Sequence, residues 1–132
     1  MTTEPFFFIQ LSDPQLGLTA EKKDVSKEEG LAREVAQFES AIGEANRLRP
    51  DFVVVTGDLC HHNLDQVEVA EVKRIAGGLD PAIPIYWTTG NRDSGCDDGV
   101  PIPSMLAKYR QEFGDDYYSF DHKGTTFMAI SS

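Results

Sequence analysis

The feature that most constrains this chain is the run Phe52-Val53-Val54-Val55 within Asp51–Thr56, which stops at Gly57. β-Branched side chains are stiff at χ1 and suit a pleated surface. A short, continuous apolar run with a glycine after it reads as a strand buried on both faces. The pattern occurs twice more. Phe6–Leu11 ends at Ser12-Asp13-Pro14, and Ile83–Thr88 ends at Gly90, with Pro84 near its start, where proline is tolerated. Helical spacing separates the three runs. Leu31, Val35, Phe38, Ile42, Ala45 and Leu48 recur at steps of three or four until Pro50. Val67, Ala70, Val72, Ile75, Ala76 and Leu79 form a second such stretch, closed around Gly77-Gly78. Residues 16–30 crowd charge and read as a surface loop, as does the Gly-, Asp- and Pro-rich segment 94–103. Met105–Phe113 reads as a short helix. Tyr117–Phe120 and Thr125–Ile130 flank Asp121-His122-Lys123-Gly124, a hairpin signal.

Strand and helix therefore alternate before a terminal hairpin, which predicts an α/β fold with a mostly parallel sheet. At 132 residues the chain reads as a single domain, 1–132. Hydrophobic residues at 40% and charged residues at 26% are ordinary for a globular protein. The apolar runs are too short to span a bilayer, and the N-terminus lacks a basic n-region, so the default location is cytoplasmic. The two cysteines, Cys60 and Cys96, sit in different loops and are expected to be reduced. A net charge of −10 argues against a nucleic-acid-binding patch or binding to anionic membrane. It leaves phosphorylated substrates open, because bound cations invert the local field.

In a parallel sheet the three strand ends share one edge, where α/β proteins bind ligands. Asp13, Asp58 and Asn91 are thus expected to converge. Two carboxylates and a carboxamide oxygen, with imidazoles nearby, suit divalent metal ions. Glycine before Asp58 and before Asn91 lets each strand turn sharply as it ends. Asp13-x-Gln15, Gly57-Asp58 and Gly90-Asn91, in this order, resemble the calcineurin-like metallophosphoesterase superfamily. The superfamily pattern is D-x-H, GD and GNH(D/E), followed by later histidines. FFFIQLSDPQLGL is most similar to its D-P-Q subgroup, in which glutamine replaces the first-motif histidine.

The resemblance implies the N-terminal half of a β-sandwich flanked by helices. It also implies hydrolysis of phosphate esters by a dinuclear centre of iron, manganese or zinc, on a phosphorylated small molecule or phosphoprotein. By the same resemblance, Asp13 binds the first metal, Asp58 bridges both and Asn91 binds the second. Gln15 is a weaker carbonyl ligand or holds a water.

Two departures from the pattern stand out. Arg92 occupies the place of the histidine after the asparagine. Arginine binds phosphate bidentately but does not donate a proton near neutral pH. Asp93 matches the acid that orients that histidine, and could pair with Arg92 instead. The family's later histidine motifs are absent from this sequence. The chain is therefore expected to be a truncated domain holding the first half of a dinuclear site. The alternatives are a degenerate member that binds metal or a phosphorylated partner without turnover, or a half-domain that associates through an exposed sheet edge.

The other candidates have plainer readings. His61 and His62 follow Asp58 closely, but adjacent residues on an extended segment point apart, so structural or exposed roles are expected. No C-x-x-C pair supports a zinc cluster around Cys60, which reads as a small buried residue. His122 is expected on the surface of the hairpin turn. Tyr86 and Trp87 read as core, Tyr117 and Tyr118 as hairpin packing or a cleft flank. The charge run Lys22–Glu29 reads as a solvated loop or a substrate-side lid.

Overall fold

Strand β1 (Phe8–Ser12) is followed by α1 (Leu18–Lys22), α2 (Lys27–Leu48), β2 (Phe52–Thr56), α3 (Gln66–Ala76) and β3 (Ile85–Thr88). One turn of helix, α4 (Asn91–Ser94), α5 (Pro103–Phe113), β4 (Tyr118–His122) and β5 (Thr125–Ala129) complete the order. The computed structural model describes residues 4–22, 25–96 and 99–131. Lys23 and Asp24 of the expected polar loop, and Asp97 and Asp98 of the segment after Ser94, lie outside the described residues.

The valine run forms the central strand. β2 pairs in parallel with β1 from Phe8↔Phe52 to Ser12↔Thr56, and with β3 from Val53↔Ile85 to Thr56↔Thr88. Side chains alternate across the sheet. On one face Val53 and Val55 are fully buried, against Phe38, Ile42 and Ala45 of α2 and Val69, Val72 and Ile75 of α3. Burying one such side chain contributes about 1.5–3 kcal/mol. This helix-covered face therefore fixes the strand ends and leaves the loops beyond them available for chemistry.

The other face carries the hairpin. β4 and β5 pair antiparallel from Tyr118↔Ala129 to His122↔Thr125, as a separate two-stranded sheet. Phe120 stacks on Tyr86 with ring centroids 3.6 Å apart, and Phe127 meets Phe52 edge-on at 5.1 Å. The Tyr118 hydroxyl donates to the Trp87 carbonyl at 2.6 Å. Tyr86 and Trp87 are therefore half-buried, one under the hairpin and one toward the helices, and Tyr118 is a packing residue.

Four local expectations need correction. The expected loop 16–30 contains α1 and the first turn of α2. α2 starts at Lys27 because Ser26 caps it, its Oγ accepting from the Glu29 N–H at 3.1 Å. α1 forms because the buried Glu34 carboxylate on α2 accepts from the N–H groups of Gly17 and Thr19, both at 2.6 Å. Segment 94–103 is not wholly loop, since α4 ends at Ser94 and α5 begins at Pro103. The hairpin turn is only Lys123-Gly124, both at positive φ (44° and 81°), the geometry of a two-residue hairpin. His122 is thus a strand residue, not a turn residue. Its ring packs edge-on to Phe52 and Nε2 lies 2.9 Å from Asp51 Oδ1. No described helix is long and apolar enough to cross a membrane.

Candidate metal centre

The three strand ends meet as the alternation requires. Beyond β1 and β2 the two loops continue side by side. The Gln15 N–H donates to the Asp58 carbonyl at 2.9 Å, Leu16 N–H to Leu59 O at 3.2 Å, and His61 N–H to Leu16 O at 2.9 Å. This extension of the sheet holds the Asp13–Gln15 turn beside Asp58. Asp13, Gln15 and Asp58 all adopt positive φ (51°, 40° and 48°), a conformation uncommon for residues other than glycine. The Ser12 hydroxyl donates to the Asp13 carboxylate.

The second and third loops are locked by their glycines. A Cβ on Gly57 would lie 2.7 Å from Gly90 Cα and N. A Cβ on Gly90 would lie 2.1 Å from Asp58 Oδ1 and 2.2 Å from Asp58 N. The two turns therefore pack backbone to backbone, and neither tolerates a side chain. Asp58 Oδ1 accepts the Arg92 backbone N–H at 3.1 Å, which seats the carboxylate against the start of α4. The amide end of Asn91 reaches the same carboxylate. With its nitrogen inward it is 3.3 and 3.2 Å from the two Asp58 oxygens. With its oxygen inward, amide and carboxylate present several oxygen acceptors to one point.

Asp93 is fully buried. Its Oδ1 accepts the Leu59 N–H and its Oδ2 the Gly90 N–H, each at 2.9 Å. The second bond is half of a capping box closing the first turn of α4. Burial pushes the Asp93 carboxyl up to about 6, against the pull of these amides. Asp93 therefore clamps the second loop to the third, and its side chain faces the backbone. Arg92 is half-buried at the start of α4.

Asp13, Asp58 and Asn91, with Gln15 beside them, are thus brought to one edge. Oxygen donors of this kind fit divalent ions such as Mn²⁺. The closeness of the Asn91 amide to the Asp58 carboxylate puts both side chains within reach of one ion at this edge. Thr89, Gly90, Asn91 and Cys96 border a cavity of about 270 Å³ at this edge.

His61 and His62 do not point apart, contrary to expectation. Their ring centroids are 4.9 Å apart, and both rings turn toward Glu21 at the end of α1. His61 is buried and His62 is exposed. Cys60 is buried and free, the small core residue expected, and burial pushes its thiol well above the usual range. Sequence reasoning missed Glu21, Glu34 and Glu68. Glu34 and Glu68 each left a signal, as a carboxylate on the apolar side of α2 and of α3, and Glu21 left none.

Residues 8–130 match the family described as calcineurin-like phosphoesterase. Among curated proteins the chain is similar to "Serine/threonine-protein phosphatase CPPED1" of Danio rerio, 33% identical over 137 residues, covering 97% of this chain and 43% of the relative. The Bos taurus protein of that name is 32% identical over 137 residues, with the same coverage. The Homo sapiens protein is 32% identical over 139 residues, covering 97% and 43%. The chain thus spans less than half the length of these relatives. The match over nearly all of its length, with the D-x-Q, GD and GN turns meeting at one sheet edge, places the chain in the calcineurin-like phosphoesterase family.

Proposed function

We propose that this chain carries part of the active site of a metal-dependent phosphoesterase, with Asp13, Gln15, Asp58 and Asn91 as metal-binding residues. The observation that supports it most is the approach of Asn91 to Asp58, held by the Gly57–Gly90 contact. The family uses divalent metal ions. Bound here, such ions supply positive charge for phosphoryl oxygens and acidify the attacking water. Fe, Mn or Zn, as a pair, are the ions proposed.

The chain's own residues set up that chemistry. Asp13 and Asp58 bring negative charge to one edge of an already acidic protein, so an anionic ester binds only once cations are in place. Arg92 offers a permanent positive charge for a phosphate oxygen but no proton for the leaving group. Asp93 positions, keeping Asp58 and Asn91 in register through the Leu59 and Gly90 amides. The substrates proposed are phosphate esters, including a phosphoprotein, since the curated relatives are named serine/threonine-protein phosphatases. Arg92 favours a second reading, binding of metal and phosphate without turnover, because a missing general acid costs roughly 10²–10⁴-fold in rate.

The test is hydrolysis of an aryl phosphate in added Mn²⁺. The first reading expects metal-dependent turnover that Asp58→Asn abolishes and Arg92→His raises. Unchanged turnover in Asp58→Asn would remove Asp58 from the centre. Phosphate binding without turnover, unimproved in Arg92→His, would select the second reading.

A further inference from the structure

We propose that Glu21, His61 and His62 form a separate metal site that takes one divalent transition ion of the Zn²⁺ class and ties α1 to the loop after β2. One donor atom from each residue lies within 4.8 Å of the other two. His61 Nε2 is 2.7 Å from Glu21 Oε2, and His62 Nε2 is 3.3 Å from Glu21 Oε1. Two imidazoles and one carboxylate are a donor set that Zn²⁺ accepts with a position to spare. Donors around a tetrahedral zinc ion sit roughly 3.3 Å apart. The exposed Glu21 side chain can close that difference by changing rotamer.

The surroundings are built for ligation. Glu68, itself buried, faces His62 Nδ1 with one carboxylate oxygen and accepts the His62 N–H with the other at 3.0 Å. A carboxylate facing Nδ1, the usual outer partner of a metal-bound histidine, accepts the proton there and leaves Nε2, on the Glu21 side, as the ligating atom. Gly17, at φ +104°, brings its backbone over this pair, and a Cβ there would lie 2.2 Å from Glu68 Oε1 and 2.9 Å from His62 Nδ1. His61 is only 4% exposed, and its Nδ1 has no partner among the described residues. Among the described residues the buried ring's one polar contact thus runs from Nε2 to a carboxylate that is 57% exposed. Glu21 and Glu68 also put two negative charges against two imidazoles, which a divalent ion balances. A cavity of about 490 Å³, lined in part by Gly17, Leu31, His62 and Glu68, lies against the His62–Glu68 side of the cluster. It is larger than the 270 Å³ cavity at the Asn91 edge.

The proposal does not depend on the phosphoesterase reading, and its test removes the loop-end centre first. The background is Asp13→Asn/Asp58→Asn, because asparagine tolerates the positive φ of both positions. The probes are Zn²⁺ alone, followed by calorimetry and elemental analysis, and Co²⁺ alone, followed by its visible absorption. The expected result is one Zn²⁺ per chain and Co²⁺ bands of a four- or five-coordinate site. Glu21→Gln and His62→Gln in that background should each weaken Zn²⁺ binding by about 10–100-fold or more. Glu21 is mostly exposed and His62 partly so, and far-UV circular dichroism should stay unchanged. Absence of stoichiometric Zn²⁺ in the folded background, or Zn²⁺ affinity in both variants equal to that of the background, would overturn the site.

Discussion

Replacing Gly90 by alanine tests the geometry on which the metal centre depends. Gly90 has φ −104° and ψ 178°, an extended backbone open to any residue, so alanine meets no conformational penalty. The obstacle is contact alone. The new Cβ would sit 2.2 Å from the Asp58 backbone nitrogen and 2.1 Å from its Oδ1. Ordinary contact begins near 3.4 Å, so the turns must part by more than 1 Å. The side-chain oxygen can swing away, but the backbone nitrogen cannot. Overpacking costs about 1–3 kcal/mol and sometimes more, and a clash with backbone belongs at the top of that range. Gly43, in the interior of α2 with nothing within 4 Å of its would-be Cβ, is the control. There alanine should stabilise by about 0.5–1 kcal/mol. The assay is urea denaturation of the full chain, paired with Mn²⁺ titration of each variant. Gly90→Ala should lose about 3 kcal/mol and its Mn²⁺ affinity, while Gly43→Ala gains stability and keeps its affinity. Wild-type stability and affinity in Gly90→Ala would refute the back-to-back packing.

Three further outcomes follow from the same geometry. Lys123 and then His122 hold the Asp51 carboxyl down to about 2, so its stabilising effect is present above the ordinary value of 3.8 and is lost as pH falls through about 2. Protection factors of the β4 and β5 amides should therefore fall across that acid range, and Asp51→Asn should remove the dependence. Glu34→Ala leaves the Gly17 and Thr19 amides without their carboxylate, at about 1–3 kcal/mol for a buried group, and proteolysis should then cut near α1. Tyr118→Phe removes the bond to Trp87 O and should cost about 0.5–1.5 kcal/mol by denaturant midpoint.

The parallel sheet was legible because periodicity alone separates Val53–Val55 from the helix that begins before Leu31. The edge at which Asp13, Asp58 and Asn91 meet follows from that alternation. The start of α2 was legible in principle. Ser26-Lys27-Glu28-Glu29 has the spacing of a capping box, but the charges beside it resembled a loop. α1 was not legible, since five residues do not sustain a helix and a carboxylate 15 positions away starts it. The same tertiary contact carries Glu21 to His61 and His62, so their convergence has no local signature. His122 was misplaced because hairpin register depends on turn length, and Lys123-Gly124 alone makes the turn. The role of Asp93 as a clamp on two loops also needed the fold, because its partners are the amides of Leu59 and Gly90.

The central claim is that three strand ends of one sheet make a metal centre around Asp58. Mn²⁺ binding, read by loss of the free-ion paramagnetic resonance signal, tests it most directly. Wild type, Asp58→Asn and Glu21→Gln should be titrated in parallel. The account predicts that Asp58→Asn loses the tightest Mn²⁺ binding, while Glu21→Gln retains it. Equal Mn²⁺ affinity in wild type and Asp58→Asn would contradict it.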